Sequence, residues 1–384
     1  MKKIMKIVFA GGGSGGHVIP LIAIVREFRK IYQGTDVRFY FIGPKDEFTN
    51  ELLKKEGVIV KNIFAGKIRR YVNWQSILQN LVDILIKIPL GFIESVFYIF
   101  YLSPDLIFSK GGFGSLPVVL AGKIFLVPMF FHESDVIPGL VNRLLGRFAL
   151  EIFVSFRATE YYFSARKLLI VGNPIRKEIL GGSKEEAKQL LNLKLTKPVL
   201  LILGGSQGAQ RINDRILEIL PQLLKNYEII HQCGKNNYES VKNEAKVVIN
   251  EDLAKFYHLY PFLEENELKQ AYAAADLIIS RAGSGTIFEI AAVNKPAILI
   301  PLPEAAQNHQ VKNAYAYQAY RTAIVIEENN FTSQFFLEKL KDLFSQPEEL
   351  KQMAEKTKEF ARPDAGRVIA GYLLIYLLKK YKKK

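Results

Sequence analysis

Four short polar constellations each follow an apolar run, where a chain leaves a buried strand. His17 closes the glycine series Gly11-Gly12-Gly13-Ser14-Gly15-Gly16. His132-Glu133-Ser134-Asp135 follows residues 129–131, and Arg281-Ala282-Gly283-Ser284-Gly285-Thr286-Ile287-Phe288-Glu289 follows 277–280. Gln307-Asn308-His309-Gln310 comes after 298–303. A neutral imidazole suits general-base work, and the N-terminus of a helix disfavours a cation by ~0.3–1 kcal/mol. His17, opening a helix, is therefore expected neutral; the plainer alternative is a first-turn residue without chemistry. Four polar groups at 132–135 suit the rim of a site, or else Ser134 or Asp135 caps a helix. Thr286 and Glu289 fit a capping box, yet a carboxylate there can also accept both hydroxyls of a ribose while loop amides hold a phosphate. The 307–310 amides match sugar hydroxyls as donors and acceptors.

These groups need elements to carry them. Residues 4–10 form an apolar run, then the glycine loop, then a helical pattern over 18–30; residues 198–203 repeat it with Gly204-Gly205-Ser206-Gln207-Gly208-Ala209 and a helix through 220. Further apolar runs at 37–42, 106–108, 129–131, 228–231 and 277–280 alternate with helical patterns. That alternation predicts α/β architecture: two Rossmann-like domains whose parallel sheets are covered on both faces, with ligands at the carboxyl ends of the strands. The expected domains are 1–172 and 173–362, with a helix at about 363–384 packing back on the first.

A glycine loop between strand and helix lets backbone approach a phosphate, and the first helical N–H groups point at it. Gly11-x-Gly13-x-x-Gly16 matches the dinucleotide fingerprint in form, but the acid it wants at the end of the second strand is poorly placed, since Asp46 lies beyond it. His17-Val18 stands where a Walker A loop requires Lys-Ser/Thr. The chain has no Asp-x-Asp, the usual carboxylate pair of a metal–diphosphate clamp, so leaving-group charge falls to helix N-termini, hydroxyls and arginine. One cysteine, Cys233, excludes an internal disulfide and a Cys-based zinc site. No metal and no cofactor is expected.

The 384 residues carry a net charge of +14, and residues 1–180 hold 24 basic against 14 acidic side chains. That excess calls for an anionic partner. Residues 71–102 are the most apolar stretch: Trp74, Ile77, Leu78, Leu81, Val82 and Leu85 recur at helical spacing up to Pro89, flanked by Lys67, Arg69, Arg70 and Lys87. Asp83, Lys87 and Glu94 interrupt it and argue against a membrane span. It reads as a buried core helix or as an interfacial helix whose basic neighbours meet anionic headgroups. Residues 372–384 repeat the apolar-then-lysine combination. Residues 1–6 look like a signal-peptide start, but the glycine run cuts the apolar segment short, so no secretion is expected.

GGGSGGH (11–17), GGFGSLP (111–117), HESDVIPGLVN (132–142), GNPIR (172–176), GGSQGA (204–209), RAGSGTIFE (281–289) and NHQVKNA (308–314) follow one another as in the MurG family. The chain resembles that family, glycosyltransferase family 28, over nearly its whole length. The resemblance implies a GT-B fold with two sheets facing a central cleft. It also implies inverting transfer of N-acetylglucosamine from UDP-N-acetylglucosamine to undecaprenyl-diphospho-N-acetylmuramoyl-pentapeptide (lipid I), giving lipid II, at the cytoplasmic face of the inner membrane. Other cell-wall synthesis proteins would be further partners.

By the same resemblance Glu289 looks like the carboxylate on the ribose. Ser206, Gln207, Arg176, Ser284 and Thr286 resemble residues near the uridine diphosphate, and Leu263 matches the position whose backbone meets uracil. His309 and Gln310 resemble the pair that reads the donor sugar, with Ser14, Gly15, Gly16 and Asp135 close by. Gly13, Ser14, Gly15, Gly16, Gly111 and Gly112 are similar to the loops proposed to hold the acceptor diphosphate. Trp74, Ile77, Leu78, Leu81, Leu85, Arg69 and Arg70 fit the membrane-facing patch. Where the family has His-Glu-Gln-Asn this chain has His132-Glu133-Ser134-Asp135, and Asp135 accepts a hydrogen bond but donates none. His17 is the expected base and Asp135 its rival. Two alternatives remain: a UDP-N-acetylglucosamine 2-epimerase-like enzyme, needing no lipid acceptor, and a non-enzymatic membrane-surface or nucleic-acid-binding protein. Nucleic acid is disfavoured because no aromatic-interleaved basic module is present.

Overall fold

A computed structural model describes residues 4–12, 15–66, 74–205 and 208–382, apart from the side chains of 75–77. The chain divides into two units, Met1–Arg176 with Pro363–Lys384, and Lys177–Arg362. The whole GNPIR segment thus stays with the first unit, rather than being split after Gly172.

The first unit is built on β1 (Met5–Ala10), β2 (Val37–Pro44), β3 (Ile59–Ile63), β4 (Leu106–Ser109), β5 (Met129–Glu133), β6 (Glu151–Val154) and β7 (Leu168–Ile170). They lie in the order β3-β2-β1-β4-β5-β6-β7, every pair parallel. Ile7 registers with Phe39 on one side and Leu106 on the other. The second unit repeats the plan with β8 (Val199–Leu203), β9 (Glu228–Gln232), β10 (Tyr257–Tyr260), β11 (Leu277–Ser280), β12 (Ala297–Leu299) and β13 (Ala323–Val325), ordered β10-β9-β8-β11-β12-β13. In each sheet the chain winds outward from the first strand, then returns to wind the other way. Crossovers leave in opposite directions between β1 and β4, and again between β8 and β11, opening a crevice at the strand carboxyl ends.

Both faces of the first sheet are covered. On one, Val18, Leu21, Val25 and Phe28 of α1 (Gly15–Ile31) share a core with Phe9, Phe39, Phe108, Phe130 and Phe153. Ile369, Leu373 and Leu377 of the C-terminal helix Ala365–Lys382 complete that core. Each such side chain contributes about 1.5–3 kcal/mol on burial. Polar ties fix the helix: Tyr372 Oη donates to Glu151 (2.8 Å), while Lys380 (3.0 Å) and Tyr381 (2.8 Å) both donate to Asp105. Asp105 also accepts the Lys6 N–H at 2.9 Å. Burial works against its charge, but those donors outweigh it and hold the carboxyl below its usual range.

The apolar segment departs from its expected form. Helix Trp74–Val82 runs through a π-helical turn, Asp83–Lys87, into helix Ile88–Leu102. Pro89 therefore begins a helix rather than ending one. The Ile88 N–H reaches back to the Asp83 carbonyl, and Pro89 sits in the first turn after that, where a missing N–H costs nothing. Nor is this a core helix: Trp74 is 84% exposed, Leu78 66%, Leu85 64% and Ile93 63%. Residues Leu78–Leu102 are long and apolar enough to cross a membrane by length and composition alone. The charges that interrupt the run are used internally. Asp83 is buried and pairs with Lys87 at 2.6 Å, and Glu94 accepts the Phe64 N–H at 2.7 Å.

A depressed carboxylate stabilises the fold above its unfolded pKa, and the gain is lost as pH falls through the folded value. Asp105→Asn should therefore cost about 2 kcal/mol at neutral pH and progressively less in acid. Urea unfolding of both proteins across that range checks it.

Candidate functional site

In the first unit the crevice between β1 and β4 is floored by bare backbone. The Ala10 carbonyl accepts the Lys110 N–H at 2.8 Å, joining the two strand ends. Gly111 and Gly112 take φ of 80° and 76°, a region that favours glycine. Space excludes a side chain as well: a Cβ on Gly111 would lie 2.7 Å from Asn142 Nδ2. His17 sits in the first turn of α1 with its imidazole between the two glycine loops. A Cβ on Gly12 would lie 3.2 Å from Nδ1, and one on Gly112 3.2 Å from Nε2. Gly15 and Gly16 open the same helix; Gly13 and Ser14 lie outside the described residues.

Beside this floor the expected polar rim proves half structural. β5 runs through His132 and Glu133, and both are buried. Only Ser134 and Asp135 reach the partly exposed surface. Neither caps a helix, because Leu140–Leu145 starts from Gly139. Instead Glu133 organises the loop: Oε1 accepts the Asp135 N–H (3.1 Å), and Oε2 accepts the Gly139 N–H and the Asn142 amide (both 3.0 Å). The Asp135 carbonyl accepts from Thr159 Oγ1 at 3.1 Å.

Lys110 is the residue that sequence reasoning missed. Its buried ammonium donates to His132 Nδ1 (2.7 Å), to Asn173 Oδ1 (3.4 Å) and to Ser134 Oγ. An ammonium donor leaves Nδ1 as acceptor, so the ring carries its proton on Nε2 and donates to the Gly172 carbonyl at 3.1 Å. Burial pushes Lys110 down to about 8, with Glu133 and Asp135 pulling the other way. Burial, then Lys110, keeps His132 well below its ordinary pKa, so it is neutral. Burial and Asp135 raise the Glu133 carboxyl against its hydrogen bonds and Lys110. The signal was present: a lysine stands between the buried strand Leu106–Ser109 and Gly111-Gly112.

In the second unit the equivalent crevice lies between β8 and β11. The Gly204 N–H donates to the Gln232 carbonyl (3.1 Å) and Gly208 N–H to Gly205 O (3.1 Å), a turn with φ of 80° and 81° at Gly205 and Gly208. Ser206 and Gln207, in the middle of it, lie outside the described residues. Across the crevice, helix Ser284–Ala292 starts one residue after Gly283, so Thr286 is inside the first turn and the capping box does not form. Glu289 is buried on that helix and accepts from Tyr272 Oη at 3.0 Å. Leu263 commits its N–H to Gln232 Oε1 at 2.9 Å.

Gln307 and Asn308 are left-handed, with φ of 57° and 58°, and turn the chain into helix His309–Gln318. His309 Nδ1 donates to Ala306 O (2.7 Å), and Gln310 Oε1 accepts the Leu302 N–H (3.0 Å). Arg211 pairs with Glu304 at 2.8 Å and with Glu328, which also holds Arg281. The loops after β11, β12 and β13 are thereby bound together. Thus His17 meets Gly112 in the first unit, where Asn142 beside Gly111 is joined through Glu133 to Asp135; Thr286, Glu289, Leu263 and Gln310 belong to the second unit, and Arg176 ends the first.

Two Rossmann-like units, each with a bare-backbone loop where its strand order reverses, are the architecture of the GT-B fold. Residues 7–154 match the glycosyltransferase family 28 N-terminal domain, and residues 199–368 the family 28 C-terminal domain. The chain belongs to glycosyltransferase family 28. It is 39% identical over 364 residues to UDP-N-acetylglucosamine--N-acetylmuramyl-(pentapeptide) pyrophosphoryl-undecaprenol N-acetylglucosamine transferase 2 of Bacillus cereus, covering 94% of this chain and 96% of the relative. The correspondingly named transferase of Clostridium perfringens is 38% identical over 89% of this chain and 91% of its own length. Among solved structures, MurG of Acinetobacter baumannii aligns with a TM-score of 0.71 at 25% identity, over 96% of this chain and 98% of that one. The UDP-GlcNAc 2-epimerase of Neisseria meningitidis aligns at 0.64 and 15% identity over 98% and 100%, a likeness of fold alone.

Between its folded pKa of about 8 and its ordinary 10.5, Lys110 binds fewer protons folded than unfolded. Its contribution to stability therefore rises with pH across that window. Lys110→Met should lack this rise. Urea unfolding midpoints of the two proteins, compared from pH 8 to about 10, test the sign.

Proposed function

We propose that the protein transfers N-acetylglucosamine from UDP-N-acetylglucosamine to the C4 hydroxyl of undecaprenyl-diphospho-N-acetylmuramoyl-pentapeptide, with inversion at the anomeric carbon. The observation that carries this is the 39% identity, over 94% of the chain, to a transferase named for that reaction. The C4 oxygen attacks the anomeric carbon as the bond from that carbon to the β-phosphate oxygen breaks. UDP leaves with the electron pair. His17 takes the hydroxyl proton, and its place in the first turn of α1 supports this, because the positive helix terminus favours a neutral ring with a nitrogen free to accept. Asp135 is the rival base and a contact for the donor sugar. The transition state has oxocarbenium character, by analogy with inverting glycoside hydrolysis.

Gly13, Ser14, Gly15, Gly16, Gly111 and Gly112 present backbone N–H groups to the acceptor diphosphate. Ser14, Gly15 and Gly16 also border the donor. In the second unit Glu289 binds the ribose, Ser206, Gln207, Ser284, Thr286 and Arg176 meet the diphosphate, and the Leu263 carbonyl meets uracil. Gln310, with His309, reads the sugar through its amide nitrogen, its oxygen being held by Leu302.

The enzyme works as a peripheral protein at the cytoplasmic face of the inner membrane. Trp74, Ile77, Leu78, Leu81 and Leu85 enter the bilayer beside Arg69 and Arg70, at roughly 1 kcal/mol per headgroup contact. The exposure of the described apolar side chains supports this reading. Arg69 and Arg70, and the side chain of Ile77, lie outside what the structure describes.

Incubation with labelled UDP-N-acetylglucosamine and a polyprenyl-diphosphate acceptor should yield labelled lipid; conversion of the nucleotide sugar without acceptor, seen by NMR, would point to an epimerase instead. His17→Ala should cut turnover by ~10²–10⁴ while UDP binding, read by calorimetry, stays nearly constant. Normal turnover in that variant would move the role to Asp135. Leu78→Ser with Leu85→Ser should weaken binding to anionic vesicles by roughly a hundredfold, measured by co-sedimentation.

A further inference from the structure

We propose that Lys110 is a positioning residue for Asp135, its buried ammonium fixing the 132–135 segment so that the Asp135 carboxylate is held at the first unit's crevice. The inference rests on the transferase reading and on Asp135 acting there as base or sugar contact.

The geometry ties the two residues through three strand ends. Lys110 leaves β4, and its backbone N–H is bound to the end of β1. Its side chain binds His132 and Ser134, the residues on either side of Glu133. Glu133 in turn holds the Asp135 N–H. With 132 and 134 pinned from one side and 133 occupied with Gly139 and Asn142 on the other, little backbone freedom is left at 135. The fourth link, Asn173, extends the same anchor to the strand end that leads to Arg176.

The chemistry favours a cation in this place. All three acceptors are neutral, which satisfies the three donors of an ammonium but neutralises none of its charge. Compensation comes through space from Glu133 and Asp135. His17 stands nearby across Gly11, whose Cβ position lies 3.5 Å from Lys110 Cβ and 3.6 Å from His17 Cβ. A buried lysine among neutral acceptors is a poor device for stability alone, because desolvation opposes it and apolar residues would fill the volume at less cost. It is a good device for holding an anion that must remain accessible. Asp135 is partly exposed, while the charge that attracts it is out of water and weakly screened.

The test is a double-mutant cycle on the full chain, reading turnover with UDP-N-acetylglucosamine and a short-chain polyprenyl-diphosphate-linked N-acetylmuramoyl-pentapeptide. Lys110→Met should lower kcat by about 10–100-fold with UDP binding unchanged, and in an Asp135→Asn background it should cost less than about threefold. Two losses that multiply independently would overturn the inference, showing Lys110 to act on the fold at large. So would full turnover by Asp135→Asn beside an impaired Lys110→Met. Should Lys110→Met not fold, Ser134→Ala removes one acceptor and keeps the cation. Its smaller loss must likewise vanish in the Asp135→Asn background, and persistence there overturns the inference. No labelled lipid from the wild-type protein would instead sink the transferase reading itself, a result distinct from additivity in an active enzyme.

Discussion

Parallel strands cannot be closed by tight turns, and the placement of both crevices follows from that constraint. Each strand must be followed by a crossover that returns the chain to the sheet's starting edge, and the crossover must cover a face. Where successive crossovers leave in opposite directions, the strand ends part and backbone amides are left facing a crevice. This happens once in each unit, between β1 and β4 and between β8 and β11. Anion-binding groups are thus supplied by topology before any side chain is chosen. What side chains add is discrimination, and they do so from the loops at that end of each sheet.

The two crevices are furnished differently. The second is tied by ion pairs, with the exposed Arg211 and the largely buried Arg281 converging on Glu328. The first is tied from beneath, by a lysine and a histidine that do not reach water. A charge held out of water is weakly screened, so both networks fix the geometry of the loops they join.

Much of this was legible in the residues. Both glycine loops, the central strands and the duplication could be read because apolar runs followed by glycines have few other uses. Edge strands were not legible: β3, β7, β10 and β13 span three to five residues, and two of them carry polar groups such as Lys61, Asn62 and His258. The limits of β5 were misjudged since His132 and Glu133 look like surface residues until Lys110 and Asn142 are seen to satisfy them. Thr286 and Glu289 have the spacing of a cap, but the helix begins two residues earlier. Pro89 looked like a terminator because the π-turn before it has no sequence signature. In each case the deciding partner lay far along the chain or in backbone register.

The first core is made from both extremes of the polypeptide: Val18, Leu21 and Val25 lie in one cluster with Ile369, Leu373 and Leu377. Between those two contributions the entire second unit is translated. A ribosome making this protein therefore releases a first sheet with part of one face, beside α1, still bare, and that part stays open while some two hundred further residues emerge. The second unit can finish folding first, although it begins later. Order of synthesis and order of completion are reversed, and the apolar groove beside α1 must be kept from other chains until the last helix arrives.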